Sequence, residues 1–523
     1  MNYTPFMSVF DVEPPIIEKK HLIKWLKTNY SFLRNKSFTL NKLNSERDVN
    51  FTIALQNKKK YVLKISNPSE NLNILEYQDR LIKHLSATKD LKKYIPNILH
   101  KKIVKYLDKK NRECFVRILS YIDGRMYGDI KTNSNIEKSL GNLLGMTSVQ
   151  LKNFFDKDAY RKFIWDPSNI DWIYKDINIF HGNKKLILLN CFSEYKKFVK
   201  NNLKKLRYSI THSDPNNYNL VIKNNKVNGL LDYGDSIYAP TINDLAICLS
   251  YALMNNNNIY STLQNIIFEY NKIFSINEDE INSLISLTKS RLMITVVMAK
   301  KQIIKYPKNK YLSISENDAW ALLEKLDKIP TQFLIYIIRN ICGYETIKNH
   351  NKIINFLKNS NYTNIFSFNL LDVNKSILKL DLTSYLLKGN PNNSEINRRV
   401  KKIYKNDNSN IGIGLYKEKR KVYKGINFIS ELNNNERRNI HLGIDIFIKH
   451  GTDLYAPIDG KIKILKNNAF KYDYGPTLVL EHEFQNIKFY TLYGHLSKII
   501  LKKLKIGKKI KKGDWIGKIG QTK

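Results

Sequence analysis

The sequence predicts an α+β protein with a large mixed amino-terminal part and a small all-β carboxy-terminal part. Short apolar runs at 51–55 and 61–65, separated by a polar turn, are typical of a β-hairpin. Apolar residues recur at helical spacing in three segments of the middle of the chain, 258–274, 279–304 and 315–340. From residue 439 onward, short alternating segments punctuated by turn glycines replace the helical pattern. These three observations predict the fold class and the order of the parts.

The composition indicates folded domains and leaves the strong positive charge open to two interpretations. The chain has 523 residues, of which 42% are hydrophobic and 11% aromatic, so it has enough apolar side chains to form cores. A formal net charge of +40 ordinarily points to nucleic acid or an anionic membrane. However, Lys, Asn, Ile, Tyr and Phe share A/T-rich codons, and the lysines are spread over the whole chain. Genome composition therefore explains the charge better than a basic nucleic-acid-binding function.

The cysteines and the apolar runs exclude several protein classes. The four cysteines form no C-x-x-C pair, which argues against a zinc knuckle and against a disulfide framework. The first residues lack a basic start followed by an apolar core, so no signal peptide is predicted. No uncharged run approaches the ~20 residues of a membrane span. We therefore expect a cytoplasmic protein that does not cross a membrane.

The first part of the chain contains a candidate phosphate anchor. Residues 21–34 predict an amphipathic helix, and the hairpin follows it. Lys64 lies on the second hairpin strand, and a lysine on a strand behind a nucleotide is the usual phosphate contact in kinase-like folds. The predicted helix 71–85 carries Glu76, which we expect to pair with Lys64. The alternative is an ordinary solvent-facing lysine in a lysine-rich chain.

The most informative stretch is 211–235, THSDPNNYNLVIKNNKVNGLLDYGD. Asp214 and Asn219 lie in one loop, and two short strands joined by a polar turn would return Asp232 to the same end of the hairpin. Phosphoryl transfer needs hard oxygen ligands for Mg²⁺ and a nearby carboxylate that accepts the proton of the attacking hydroxyl. The alternative is a polar loop followed by an Asp-capped turn, because both residue types are common in turns.

The pattern H-x-D-x-x-x-x-N followed by D-x-G-D resembles the aminoglycoside phosphotransferase and choline kinase superfamily. The resemblance spans about residues 20–345, because the lysine, a hinge-like strand at 114–121 and both motifs follow in the expected order. It implies a bilobal protein-kinase-like domain of the hydroxylysine, homoserine and choline kinase branch. Its nucleotide would be ATP or GTP, its metal Mg²⁺, and its acceptor the hydroxyl of a small amine or amino acid.

The resemblance also implies roles for individual residues. Asp214 would be the catalytic base, Asn219 and Asp232 the Mg²⁺ ligands, Lys64 the phosphate contact and Glu76 its brace. Supporting positions would be His212 in the catalytic loop, Asp235 at the loop or a second metal, and Asp244 as a structural residue. The loop 44–50, NSERDVN, contains no glycine and thus departs from the glycine-rich phosphate loop of protein kinases.

The carboxy-terminal part begins after a stretch rich in Asn, Ser and Lys. That stretch predicts a linker with some β structure. The expected domains are therefore a kinase-like domain at 1–350, a linker at 351–430 and a β domain at 431–523.

The segments HLGID, YAPIDG and YGHLS of the last domain resemble, in that order, the lysostaphin-like M23 peptidases. Under that resemblance His441 and Asp445 are zinc ligands and His495 is a catalytic histidine. The family takes a third ligand from an H-x-H pair beyond the last residues here, and catalytic zinc generally needs three protein ligands. We therefore expect an incomplete domain that binds Zn²⁺ only if its site is completed. A swivel-type β module, like biotinyl or lipoyl carriers, is the alternative.

Kinase-like, M23-like and class III aminotransferase-fold modules occur together in one known type of fusion protein. The resemblance thus implies that this chain is a fragment, with a pyridoxal-phosphate-dependent module downstream. Two other functions stay open from the sequence: a zinc endopeptidase of cell-wall peptides and a basic nucleic-acid-binding protein.

Overall fold

The computed structural model describes residues 12–45, 47–254, 256, 258–305, 314–378, 388, 393–406, 409–420, 428–430, 432, 436–469 and 473–521. The chain forms two compact units, one of Met1–Tyr344 with Glu431–Asn433, the other of Glu345–Ser430 with Asn434–Lys523. Within the described ranges, no helix has both the length and the apolar character that a membrane span requires.

The first unit opens on an antiparallel sheet. Its strands are β1 (Phe38–Leu43), β2 (Val49–Leu55), β3 (Lys60–Ile65), β4 (Val104–Leu107) and β5 (Glu113–Ser120), in the order β1-β2-β3-β5-β4. β2 and β3 form the predicted hairpin, with Ile53 opposite Tyr61. Helix α1 (Lys19–Asn29) buries Leu22 and Leu26 in one cluster with Phe51. Apolar burial between the helix and the sheet therefore forms this core.

Helix α2 (Leu72–Ser86) follows the sheet hairpin, close to its predicted bounds. Asn71 is its N-cap, and the Asn71 side chain accepts a hydrogen bond from the Asn73 amide, which stabilises the first turn. Its buried face includes Leu75, Gln78 and Ile82.

Helices dominate the rest of the first unit. They are α3 (Ser134–Leu151), α4 (Ile173–Asp176), α5 (Gly182–Glu194), α6 (Asn243–Met254), α7 (Ile259–Ile273), α8 (Glu278–Lys305), α9 (Ile314–Asp327) and α10 (Thr331–Ile341). The segment 315–340, predicted as one helical region, is divided because Pro330 stands at the N-cap of α10. α3 and α7 cross closely at Gly141, where an added Cβ would lie 2.1 Å from the Ile266 carbonyl oxygen.

Two small sheets position the polar stretch at 211–235. They consist of β6 (Arg125–Met126), β8 (Leu220–Lys223) and β9 (Lys226–Leu230) in one sheet, and β7 (Tyr208–Thr211) with β10 (Ile237–Pro240) in the other. The β8–β9 turn has Asn224 and Asn225 at φ 51° and 57°, as a tight hairpin turn requires. The end of β9 therefore returns beside the start of β8.

The second unit is mostly β structure. Its elements are α11 (His350–Asn359), β11 (Lys375–Leu378), α12 (Asn393–Asn406), β12 (Ile411–Gly414), β13 (Glu418–Lys419), β14 (Ile440–His441), β15 (Asp445–Phe447), β16 (Asp453–Tyr455), β17 (Gly460–Asn468), β18 (Gly475–Phe484), β19 (Ile487–Tyr493), α13 (Ile500–Lys503), β20 (Lys509–Ile510) and β21 (Trp515–Lys518). The largest sheet has the order β19-β18-β17-β20. Leu478, Leu480 and Ile516 belong to its core.

Two details of this unit differ from the sequence predictions. The described part of the expected linker joins the β domain, because β12 pairs with β15, Gly412 lying opposite Phe447. The segment HLGIDIF, predicted as one strand, is divided into β14 and β15 around Gly443. Our domain bounds of 1–350, 351–430 and 431–523 therefore remain a proposal.

Candidate active site

Asp214 lies in the loop after β7, and every oxygen of its carboxylate accepts a hydrogen bond. Oδ2 accepts from the Asn216 side chain at 2.7 Å and from Asn219 Nδ2 at 2.9 Å. Oδ1 accepts from Arg291 Nη2 at 2.6 Å. Asn219 Nδ2 also donates to the Asp214 carbonyl at 2.9 Å, so its own side-chain oxygen is directed away from Asp214. The expected base and one expected metal ligand are therefore in direct contact.

His212 joins this loop to the segment that precedes Asp232. Its Nδ1 accepts from the Asp214 amide at 3.2 Å, and its Nε2 donates to the Leu231 carbonyl at 2.9 Å. This pattern requires a neutral ring with the proton on Nε2. Burial lowers the pKa of His212 to about 4, which agrees with a neutral ring. The structure thus places His212 in a supporting role.

Asp244 supports the same loop from the start of α6. Its carboxylate accepts the backbone amides of His212 at 2.8 Å and of Ser213 at 2.7 Å. The left-handed conformation of Ser213, at φ 66°, directs these two successive amides to one carboxylate. Burial raises the pKa of Asp244 to about 6, while both amides oppose that change.

Asp232 follows β9 and faces the sheet of β1 to β5 through Lys64. Lys64 Nζ lies 3.1 Å from Asp232 Oδ1, and 47% of the Asp232 side chain is exposed. The positive charge of Lys64 holds the pKa of Asp232 well below its ordinary value. The Gly234 amide also donates to Oδ1, at 3.2 Å. The structure therefore brings Lys64 and Asp232 together. Asn219 directly precedes the β8–β9 hairpin and Asp232 closely follows it, so both lie at the same end of the hairpin.

Glu76 does not form the expected ion pair with Lys64. Glu76 is exposed on α2, and the partner of Lys64 is Asp232. The buried acid of α2 is Asp79, which contacts His100 Nε2 at 2.6 Å and Arg117 at 3.4 Å. The predicted brace is therefore corrected: Glu76 lies on the exposed side of α2, and Lys64 pairs with Asp232.

Arg291 is a buried residue of this site that the sequence predictions missed. It lies on α8, its guanidinium carbon is 4.8 Å from the centroid of the Trp165 ring, and it also donates to the Trp165 carbonyl at 3.2 Å. A second donor contact goes to the Tyr251 hydroxyl at 3.2 Å. One signal was present in the sequence: Arg291 directly precedes the apolar run Leu292–Val297, and a charge that is buried beside such a run needs a partner.

The electrostatic surroundings of Asp214 favour a base that titrates near neutrality. Burial raises the pKa of Asp214 to about 7, Arg291 opposes the rise, and the charges of Asp235 and Asp232 add to it. A carboxylate with a raised pKa accepts a proton more readily than an exposed one.

Two arginines hold the loop around Gly234. Arg47 Nη2, from the loop between β1 and β2, lies 3.2 Å from Asp235 Oδ1. Arg161 Nη2 donates to the carbonyls of Gly234 at 2.5 Å and Ser236 at 3.1 Å. Both ends of the D-x-G-D motif are therefore in contact with cations, Lys64 at Asp232 and Arg47 at Asp235.

The donor atoms at 219 and 232 suit a magnesium ion held on nucleotide phosphates. One carboxylate and one amide oxygen are hard oxygen ligands, and Mg²⁺ commonly uses one or two protein ligands together with phosphate and water. Among the described residues, no group of three His, Cys, Asp or Glu side chains converges as a metal site. The observed set therefore fits a metal that the nucleotide helps to bind.

The two expected zinc ligands of the carboxy-terminal part lie close together, and one of them also contacts an arginine. His441 Nε2 and Asp445 Oδ1 are 3.8 Å apart, but Asp445 Oδ2 lies 2.6 Å from the guanidinium of Arg420. Burial lowers the pKa of His441, and the nearby charges of Arg420 and His495 lower it further. The negative charge of Asp445 acts in the opposite direction. Two ligands and an adjacent arginine do not match the three ligands that catalytic zinc requires. Of the predicted set, His441, Asp445 and His495 lie in one neighbourhood, without a third ligand in the described part of the chain.

Two protein families match this chain. Residues 39–262 match the sequence model of the phosphotransferase enzyme family, and residues 439–523 match that of peptidase family M23. The first match contains the hairpin of Lys64 and both polar motifs, and the second begins two residues before His441. Both resemblances predicted from the motifs are therefore confirmed.

The related proteins are each similar to between about half and two thirds of this chain. A hydroxylysine kinase of Mus musculus is 24% identical over 312 residues, covering 54% of this chain and 83% of its own length. A hydroxylysine kinase of Danio rerio is 24% identical over 305 residues, covering 54% of this chain and 85% of its own. Among solved structures, an amicoumacin kinase in complex with AMP-PNP, Ca²⁺ and Ami aligns with 14% identity and a TM-score of 0.46, covering 63% of this chain and 97% of that one. The prediction of a phosphotransferase with an alcohol group as acceptor is confirmed by the family and the relatives.

Proposed function

We propose that this chain, a phosphotransferase of the kinase type with an M23-family domain behind it, phosphorylates the hydroxyl of a small amine or amino acid. The phosphoryl donor is ATP or GTP, and the metal is Mg²⁺. Asp214 acts as the base, Asn219 and Asp232 hold the metal, and Lys64 contacts the phosphates. The hydroxylysine kinases among the relatives support an acceptor that carries both an amine and a hydroxyl.

The observation that carries this proposal is the coupling of Asp214 to Asn219. One amide nitrogen donates to both the Asp214 carbonyl and its carboxylate, so the orientation of the base fixes the orientation of the amide oxygen. His212 then connects the same loop to Leu231, directly before Asp232. Base and metal ligands are thus held by one hydrogen-bonded assembly, as positioning catalysis requires.

Each protein group has a distinct part in the reaction. Asn219 and Asp232 would hold Mg²⁺, which would neutralise charge on the nucleotide phosphates. Asp214 accepts the proton of the acceptor hydroxyl as the hydroxyl oxygen forms a bond to the terminal phosphorus; the bond from that phosphorus to the nucleoside diphosphate breaks, and ADP or GDP leaves. Arg291 holds Oδ1 of Asp214, which restricts the rotation of the carboxylate. Lys64 compensates negative charge on the transferred group; its ammonium lies 3.1 Å from Asp232, the proposed metal ligand.

The test is phosphate transfer to a panel of hydroxylated amines. Purified chain is incubated with Mg²⁺, ATP or GTP, and ethanolamine, choline, homoserine or hydroxylysine. Asp214→Asn is expected to lower turnover by roughly 10²–10⁴-fold, the usual loss of one positioned base. Asp171→Asn is the matched control, since Asp171 pairs with Lys200 on the exposed surface. Equal turnover of wild type and Asp214→Asn would remove the base assignment.

Two further proposals extend to the cell and to the gene. The first is a cytoplasmic location, where ATP and GTP are available as donors; fractionation of the native host tests this location.

The second is a pyridoxal-phosphate module of aminotransferase fold that would follow the two matched domains, because their order agrees with that of the known fusion proteins. An in-frame G-x-H-x-H segment and several hundred further codons after position 523 would support this, and an immediate stop codon would contradict it.

A further inference from the structure

The connection between β1 and β2 lies beside the D-x-G-D loop but has no glycine. Glycine-rich phosphate loops work because bare backbone amides approach the phosphate oxygens closely. The residues from 44 to 50 are Asn, Ser, Glu, Arg, Asp, Val and Asn. In a loop without glycine, the side chains are the groups that can reach a phosphate oxygen.

The backbone of this loop is attached to the protein on its other side. Asn67 is fully buried in the connection between β3 and α2. Its side-chain amide donates to the Arg47 carbonyl at 3.2 Å, and its backbone amide donates to Asp48 Oδ1 at 3.0 Å. The same side-chain nitrogen donates to the Val12 carbonyl at 3.0 Å. The position of Arg47 is therefore determined by a buried anchor.

The side chain of Arg47 extends towards the residues that hold the metal. Its Nη2 lies 3.2 Å from Asp235 Oδ1, and 25% of the side chain is exposed. Relative to a Cβ built on Gly234, Arg47 Nη2 is at 3.8 Å and Asp232 Oδ1 at 3.3 Å. Arg47 thus lies over the same turn as Asp232, whose carboxylate contacts Lys64. Two cations from neighbouring parts of one sheet, Arg47 and Lys64, therefore contact the two carboxylates of the D-x-G-D motif.

We propose that Arg47 is a phosphate-binding residue of the nucleotide site and that its guanidinium replaces the backbone amides of a glycine-rich loop. The inference rests on the proposed function, because it assumes that a nucleotide lies between Lys64 and the D-x-G-D loop. A guanidinium presents two parallel donors to phosphate oxygens, which a lysine does not. Asp235 orients Arg47 through the 3.2 Å contact. Arg47 therefore recognises the distal phosphates of a nucleoside triphosphate rather than its base or ribose.

The experiment compares binding of nucleotides that differ only in phosphate number. Dissociation constants of ATP, ADP and AMP, and of the guanine series, are measured by calorimetry with the full chain and Mg²⁺. The proteins are wild type, Arg47→Gln, Arg47→Lys and the control Arg34→Gln, an exposed arginine of the same sheet region. Thermal unfolding curves check that all four are folded. Calorimetry reports affinity independently of turnover.

We expect Arg47→Gln to weaken triphosphate binding on the order of 10-fold, the size of one lost charged hydrogen bond. The affinity for the monophosphate should stay close to that of wild type, and Arg47→Lys should recover part of the triphosphate affinity. Arg34→Gln should match wild type throughout. Unchanged triphosphate affinity in Arg47→Gln, or an equal loss for mono-, di- and triphosphate, overturns the inference.

The two possible failures are distinguishable. Suppose that the wild-type chain binds nucleotide and transfers phosphate, but Arg47→Gln leaves triphosphate affinity unchanged or weakens all three nucleotides equally; this result contradicts only the role of Arg47. A folded wild-type chain that binds neither nucleotide series contradicts the proposed function and, with it, this inference.

Discussion

Asp214 and Arg291 form a buried ion pair, with 2.6 Å between Oδ1 and Nη2, although 77 positions separate them in the chain. Their side chains are 14% and 4% exposed. The pair joins the loop after β7, which carries Asp214, to α8, the longest of the described helices of the first unit. A buried charge that loses its partner is costly, so each residue depends on the other.

The pKa of Asp214 predicts the pH dependence of the free enzyme. Because burial raises this pKa to about 7, a base must lose its proton near neutrality before it can act. We expect kcat/KM to rise with pH through about 7 and then to level off. Initial rates from pH 5.5 to 9, with nucleotide and acceptor both below their KM values, measure this for the free enzyme. A rate that is already maximal at pH 5.5 would contradict the assignment.

Arg291 should control the position of that pH transition. Its charge favours the ionised carboxylate, so Arg291→Gln should move the transition of kcat/KM to higher pH. A displacement of one pKa unit reduces activity by about 10-fold below the transition. Arg291→Lys, which keeps the charge, is the control and should lie closer to wild type. A loss of activity with an unmoved transition would mean that Arg291 only supports the fold.

Lys64 and Glu76 should differ sharply on substitution. Lys64→Met removes the cation at Asp232 and should lower kcat/KM by roughly 10²-fold, as for other groups that stabilise transition-state charge. Glu76→Gln changes an exposed residue and should alter stability by no more than about 0.5 kcal/mol. Steady-state kinetics and thermal unfolding measure both. A large kinetic effect of Glu76→Gln would restore the predicted brace.

Asp108 should stabilise the sheet of the first unit in a pH-dependent way. Burial would raise its pKa, but hydrogen bonds from Arg112, Ile16 and Lys110 outweigh it and lower the pKa to about 2. The stabilisation is therefore complete above the ordinary value of 3.8 and is lost as pH falls through about 2. Asp108→Asn should cost about 1–3 kcal/mol at pH 7, with a smaller difference at pH 3. Urea midpoints at both pH values test this, with Asp171→Asn as the surface control.

The carboxy-terminal domain of this chain should not retain zinc in stoichiometric amount. Asp445 contacts Arg420 at 2.6 Å, and a cation there competes with a metal for the carboxylate. Metal analysis of the purified chain is expected to give well under one zinc per molecule, and His441→Ala should not change it. One zinc per chain that is lost in His441→Ala would revive the zinc peptidase alternative.

Local spacing predicted that three polar residues of the candidate site lie at one end of a hairpin. Asp214, Asn219 and Asp232 are linked by a short hairpin, so alternation and a two-residue turn predict that they share one end. The predicted inner face of α2 is largely confirmed, because Tyr77, Leu81 and Leu85 are buried. Glu76 itself is exposed, and helical spacing alone did not show that Lys64 would pair with Asp232 instead. The partners of Arg291 and Arg420, which are Asp214 and Asp445, lie in distant segments of the chain, so a local pattern could mark Arg291 as unusual but could not identify its partner.

The tight turn at Asn224 and Asn225 has a practical consequence for reporter design. Both residues are exposed and lie at the opposite end of the hairpin from Asn219 and Asp232. Exposed loop tips tolerate inserted sequence well, so a small fluorophore-labelling tag can be introduced there with little effect on turnover. One extra residue between Leu231 and Asp232 would instead displace the carboxylate from Lys64, so the same peptide tag placed there would abolish phosphate transfer.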